Sequence, residues 1–188
     1  MNTKIALVVV AVAVLVPGLY YVSLYNGLVY SAIEVDEKWA QVQVQYQRRY
    51  DLIPQIINAT KLYISYEQAL LVNITQARSA WTNSLGGSVE DQIEANEGLD
   101  SVFNRLLSIV VIEDYPDLSA DTLVLTLIDE LEGTENRIAV ARLQYNEAIT
   151  EYNSKTKLFP SSIVAGMSGY SERPYYEASS GSDQSPTV

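Results

Sequence analysis

The sequence predicts an all-α protein: an N-terminal transmembrane helix followed by an antiparallel up-and-down four-helix bundle. Three observations lead there. Residues 5–33 contain no charged side chain. Beyond them, apolar residues recur at alternating spacings of three and four, the signature of helices that bury one face. Strand-like alternation is not sustained anywhere, and the breaks between helical stretches are short, which favours antiparallel neighbours.

The first element is the anchor. About 20 apolar residues cross a bilayer core as a helix, and residues 5–25 suffice. A cleaved signal peptide would also begin with a basic residue such as Lys4 and an apolar run. Here the run is too long, and no small-x-small site follows it, so the anchor is expected to be retained. Tyr20, Tyr21 and Tyr25 suit the membrane–water interface, where amphipathic rings are favoured. Lys4 precedes the span, while Glu34, Asp36, Glu37 and Lys38 follow it. That slight bias puts the N-terminus inside and the bundle on the extracytoplasmic side of the cell membrane.

The first bundle helix continues out of the anchor along Leu24, Leu28, Ser31, Val35, Trp39, Val42, Tyr46, Arg49 and Ile53. Pro54 is expected to kink or end it, with Asp51 as the N-cap of a second helix. That helix carries Ile53, Ile56, Thr60, Tyr63, Glu67, Leu70, Ile74, Ala77 and Trp81 on one face. "SLGG", residues 84–87, is its stop, the glycines supplying left-handed conformations. Ser88 and Asp91 form an acidic capping box for the third helix, whose face runs from Ile93 through Asn96, Leu99, Val102, Phe103, Leu106, Leu107 and Val110 to Ile112. "YPDLSADT", residues 115–122, breaks it. A long fourth helix from about Ser119 to Lys157 follows Val124, Leu127, Leu131, Thr134, Ile138, Ala141, Tyr145, Ala148 and Tyr152. Small Gly133 and Thr134 are expected to admit a neighbouring helix. Pro160 stops it, and the apolar residues beyond predict a segment folded back over an end of the bundle, the alternative being an exposed docking surface for a partner or membrane. The domains are therefore residues 1–25, an anchor; 26–178, the bundle; and 179–188, a disordered polar tail.

Composition narrows function. The 188 residues include fourteen Tyr but no Cys and no His. Absent Cys removes thiol nucleophiles and zinc-thiolate sites, and absent His removes the commonest general base and metal ligand. A net charge of −11 argues against nucleic acid as partner. No phosphate-binding loop, dinucleotide fingerprint or nucleophile elbow occurs. The sequons at Asn58 and Asn73 fall inside predicted helices and read as chance occurrences.

The polar residues near the stripes read as register-setting groups. Arg49 and Glu67 land on inward faces. Glu130 and Arg137 stand seven apart on one flank of the fourth helix, and Glu135 and Arg142 on the other. Such flanks meet neighbouring helices, as the charged positions of coiled coils do. Arg49, Glu67, Arg105, Arg137 and Arg142 are expected to form interhelical bridges. The alternative is a carboxylate-only Mg or Ca site drawn from Glu67, Glu130, Glu132 and Glu135, lacking the His of di-iron bundles.

The segments "WAQVQVQYQRRYDLIP" (39–54), "YEQALLVNITQAR" (66–78), "LIDELEGTENRIAVARLQYNEAITEYN" (127–153) and "FPSSIVAGMSGYSERPYYEA" (159–178), with "YNGLV" (25–29) and "YPDL" (115–118), resemble the LemA family. Only residues 109–112 depart from it locally, being more apolar. The resemblance implies a single-pass or membrane-associated helical bundle without an established enzymatic activity. Similar proteins in magnetic bacteria take part in forming magnetosomes, which suggests membrane organisation but does not transfer as a function. The resulting expectation is a membrane-anchored scaffold or interaction module of the cell envelope. It is expected to be no enzyme, to need no cofactor, and to hold protein partners or a second copy of itself. A sensory module passing signals down the first helix is a further alternative.

Overall fold

A computed structural model describes residues 3–60, 68–111 and 122–177. Glu67, the "YPDL" break and the tail from 179 lie outside these residues. Among the described residues there are helices and no strands: α1 (Thr3–Thr60), α2 (Gln68–Ser84), α3 (Val89–Val111), α4 (Thr122–Lys157) and α5 (Ser161–Ser168). The chain forms two compact units, one from residues 1–40 and 144–175, the other from 41–143 and 176–188. Both α1 and α4 supply residues to each.

The second unit is the four-helix bundle. Gln43 and Arg49 of α1 bond Gln92 and Asp100 of α3, so these two helices run the same way. Arg48 of α1 meets Glu130 of α4, and Arg49 meets Glu135. Trp81 near the end of α2 donates from Nε1 to Asn96 near the start of α3, at 3.0 Å. Tyr50 of α1 stacks on Trp81 at 4.7 Å, and the Arg78 guanidinium covers the other ring at 4.4 Å. The order is up, down, up, down.

The stripes predicted from spacing are the buried faces. Every α4 residue named above from Val124 to Tyr152 is buried, as are those of α1 from Leu28 to Ile53. In α3 the buried line is Gln92, Ala95, Asn96, Leu99, Phe103 and Leu106. Ile93, Val102 and Leu107 flank it, half-buried. Burying these apolar areas is the main stabilising term, at roughly 25 cal/mol per Å².

Four local expectations change. Pro54 does not end α1, which continues to Thr60. Asp51 is therefore an interior residue and not an N-cap; its carboxylate accepts from Gln47 Nε2 at 2.9 Å and its carbonyl from Gln55 Nε2. Buried Leu52, Ile53 and Ile56 on either side of the proline hold the helix in register. The glycines of "SLGG" do not adopt positive φ; Gly169 alone does among the described residues, at 77°. Gly87 serves a close approach instead. A Cβ there would meet Asp91 Oδ2 at 3.0 Å and the Ser84 carbonyl at 3.3 Å. That carboxylate is busy, because Ser88 and Asp91 exchange the two 3.1 Å bonds of the expected capping box. At Gly133, the atoms nearest an added Cβ belong to Arg137 of the same helix, from 3.4 Å, so the glycine accommodates that side chain and not a neighbouring helix.

The first unit pairs α1 with α4 and with the returning chain. Trp39 packs on Tyr145 with ring centroids 5.1 Å apart. Lys155 Nζ reaches the Gly27 carbonyl at 3.3 Å, fixing the antiparallel pairing. Beyond α5 the chain runs back along α4. Tyr152 donates to the Ser171 carbonyl at 2.8 Å, Asn153 brackets Arg173 with two backbone bonds, and Tyr145 donates to the Pro174 carbonyl at 3.1 Å. Arg173 also pairs with Asp36 and covers the Tyr152 ring. Ile5 and residues 7–22 of α1 leave their apolar side chains exposed, and the helix is long and apolar enough to cross a membrane.

Candidate functional site: a buried polar cluster

Among the described residues, one charged side chain in the bundle core has no exposed surface, Arg49. It sits there because its α1 position continues the stripe of Val42 and Tyr46. Its head is matched from two helices: Nη1 donates to Asp100 Oδ1 on α3, and Nη2 to Glu135 Oε2 on α4. The guanidinium plane lies 4.7 Å from the Phe103 ring centroid, an additional favourable contact for a cation.

Asp100 is the pivot. Its second oxygen accepts from Arg142 Nη2 on α4 and from the Tyr46 hydroxyl at 3.0 Å. Having donated to Asp100, the Tyr46 oxygen accepts from Arg142 and, at 3.0 Å, from the Tyr176 hydroxyl. One donor and two acceptor positions are then all used. Tyr176 itself is buried, lies under the Arg142 guanidinium at 4.4 Å, and is also hydrogen-bonded to Asn96.

The electrostatics follow from burial. Desolvation lowers both arginines from their usual value, with Asp100 opposing it at Arg49 and Tyr176 at Arg142. Desolvation pushes the Asp100 carboxyl up, to about 7, against the pull of Arg49. Glu97 adds to the rise, while the second guanidinium, bonded to Oδ2, favours the carboxylate form. The Tyr176 hydroxyl is pushed well above its ordinary value, first by burial, so it stays a neutral donor.

The arrangement has no free base, nucleophile or cleft. Every oxygen of Asp100 is capped, and among the described residues no three carboxylates converge as a metal site would need. A gap of about 10 Å³ under Ile56, Leu106, Val124 and Leu131 holds at most a water. What the cluster does chemically is join α1, α3, α4 and the returning C-terminal segment through charge-assisted bonds.

Of the residues singled out from sequence, the structure brings Arg49, Glu135 and Arg142 together. Glu130 pairs instead with Arg48 at 2.7 Å on the surface. Arg105 and Arg137 are exposed, and no ion pair forms at either among the described residues. Tyr20, Tyr21 and Tyr25 lie exposed along α1, Tyr25 meeting Tyr170 edge-on at 6.4 Å. Sequence reasoning missed Asp100 and Tyr176. Asp100 carried a signal: it stands four residues after Asn96 and three before Phe103, on the buried side of α3. Tyr176 carried only the apolar character of its segment.

Known proteins place the chain. The sequence profile of the LemA family matches residues 38–188. Protein LemA of Metamycoplasma hominis is 28% identical over 145 residues, covering 77% of this chain and 65% of that protein. Magnetosome protein MamQ 2 of Paramagnetospirillum magneticum is 22% identical over 177 residues, covering 81% and 64%. Magnetosome protein MamQ of Magnetospirillum gryphiswaldense is 22% identical over 176 residues with the same coverage. The chain thus spans 64–65% of the length of these relatives. On the match across residues 38–188, the chain belongs to the LemA family.

Proposed function

We propose that this protein is a single-pass, membrane-anchored scaffold or interaction module of the cell envelope, with no catalytic role of its own. The observation that carries the reading is α1. One unbroken helix has exposed apolar residues at one end and, farther along, the buried stripe from Leu28 through Ile53. Apolar side chains left in water along residues 7–22 are costly, and a bilayer removes that cost. The polar cluster supports a structural role, since both oxygens of Asp100 and the Tyr46 hydroxyl are taken up within it. The relatives named as magnetosome proteins fit a role in an assembly. Lys4 and the amino terminus before the span, against Lys38 after it, are a slight basic bias that supports an extracytoplasmic bundle.

Alkaline carbonate washing of membranes should leave the full chain in the pellet; release would overturn the anchor. A cysteine at Ser182 should react with an impermeant maleimide in intact cells, and protection until lysis would reverse the orientation. Crosslinking in intact cells should join the protein to discrete partners or to itself. Metal analysis of the purified protein should find no stoichiometric ion. A one-to-one Mg or Ca would favour the carboxylate-site alternative.

A further inference from the structure

We propose that residues 158–167, the turn after α4 and most of α5, insert into the interfacial layer of the bilayer beside α1. This second membrane contact rests on the anchor reading above. Residues 158–170 contain no charged side chain. Val164 and Ala165 of α5 face inward, but Leu158 is 63% exposed, Phe159 81%, Ile163 56% and Met167 74%. Four large apolar groups within ten residues make a patch that water disfavours and that marks an interaction surface.

Their place in the fold selects lipid as the occupant. Lys155 is level with Gly27, where it bonds the carbonyl. Because α4 runs antiparallel to α1 at the same rise per residue, Leu158 comes level with about residue 24. The chain returns at Tyr170, which meets Tyr25. Leaving and returning at that level, the segment lies at the height of Tyr25, next to where the exposed apolar run of α1 begins. The patch is therefore continuous with the surface already assigned to the membrane.

The segment also meets the bilayer's demand that backbone groups be satisfied internally. Ser162 N donates to the Leu158 carbonyl at 2.9 Å, and Ser161 Oγ to the same carbonyl. Gly169, in the left-handed region, closes α5, and Tyr170 N donates to the Ala165 carbonyl at 3.0 Å.

The chain has no cysteine, so single cysteines carry a nitroxide cleanly. The full-length variants Phe159→Cys, Met167→Cys, Tyr21→Cys and Gln76→Cys would be labelled and reconstituted in phosphatidylcholine vesicles. Positions 159 and 167 should favour collisions with oxygen over a hydrophilic nickel chelate, as Tyr21 does, while Gln76 on α2 shows the reverse. Labels at 159 and 167 that behave like Gln76, with Tyr21 still in lipid, would overturn the inference and leave the anchor standing. A watery Tyr21 label would overturn the anchor, and the second contact with it. Labels at 159 and 167 shielded from both reagents would mean a protein covers the patch, which also overturns it.

Discussion

A guanidinium with no exposed surface survives only where its charge is matched, and Arg49 meets that condition through Asp100 and Glu135. Glu135 is half in solvent, so its pairing is screened and contributes modestly. Asp100 is the member that matters most, since two arginines and a tyrosine converge on its carboxylate. Replacing it with Asn keeps the shape but leaves buried Arg49 with only the half-exposed Glu135 and takes the paired acid from half-buried Arg142. The expected cost is about 3–5 kcal/mol, the range for breaking a buried pair. Urea denaturation of Asp100→Asn against the parent measures it, and a loss below about 1 kcal/mol would show that water already screens the cluster. The inward place of Arg49 was legible because three-and-four spacing holds whatever residue occupies the position. Asp100 was not, because the α3 stripe was drawn through apolar residues and stepped from Leu99 to Val102 past the carboxylate between them.

At the scale of elements, helical periodicity was the strongest signal in the sequence, and helix ends were the weakest. Nine successive α4 positions chosen by spacing are all buried. Boundaries depend on local chemistry that tertiary packing can override, and Pro54 is the case in point. Proline removes the amide that would bond the Tyr50 carbonyl and crowds that carbonyl. Burial of Leu52, Ile53 and Ile56 outweighs this cost and carries α1 on to Thr60. Pro54→Ala should therefore stabilise the protein, by about 1–3 kcal/mol, since it restores a helix bond without touching the buried face. A higher thermal midpoint with unchanged helical ellipticity is the expected result. A lower midpoint would mean that the bundle depends on the local geometry the proline imposes. The α2–α3 stop shows the opposite balance: the capping pair of Ser88 and Asp91 was readable, yet the reason for Gly87 was not. Its role is room for the Asp91 carboxylate, which only the folded turn reveals.

At the scale of the molecule, what holds the fold and what holds the membrane are separable, and that separation can be tested. The exposed residues 7–22 of α1 bury nothing within the protein, so they add little to its folding free energy. The returning chain is the reverse case. It is short and irregular, yet residues 171–174 satisfy Tyr145, Tyr152 and Asn153, and Tyr176 completes the polar cluster. Sequence showed that this segment was too apolar to hang free, but not where it lies, because its anchoring bonds go to backbone carbonyls that carry no residue signature. A fragment of residues 27–188 should thus fold alone, with cooperative unfolding and high helical content. A chain ended at residue 170 should lose several hydrogen bonds at about 1 kcal/mol each, together with the burial of Tyr176. Its expected deficit is about 4–6 kcal/mol, enough to unfold a marginal domain. If the 170-residue chain melts with the parent, the strap is decoration. If the 27–188 fragment fails to fold, the anchor contributes to the bundle's stability despite its exposed surface. The outcome expected from the burial pattern is a stable fragment and a crippled truncation, because side chains that order the core lie at the C-terminal end of the segment and not in the anchor.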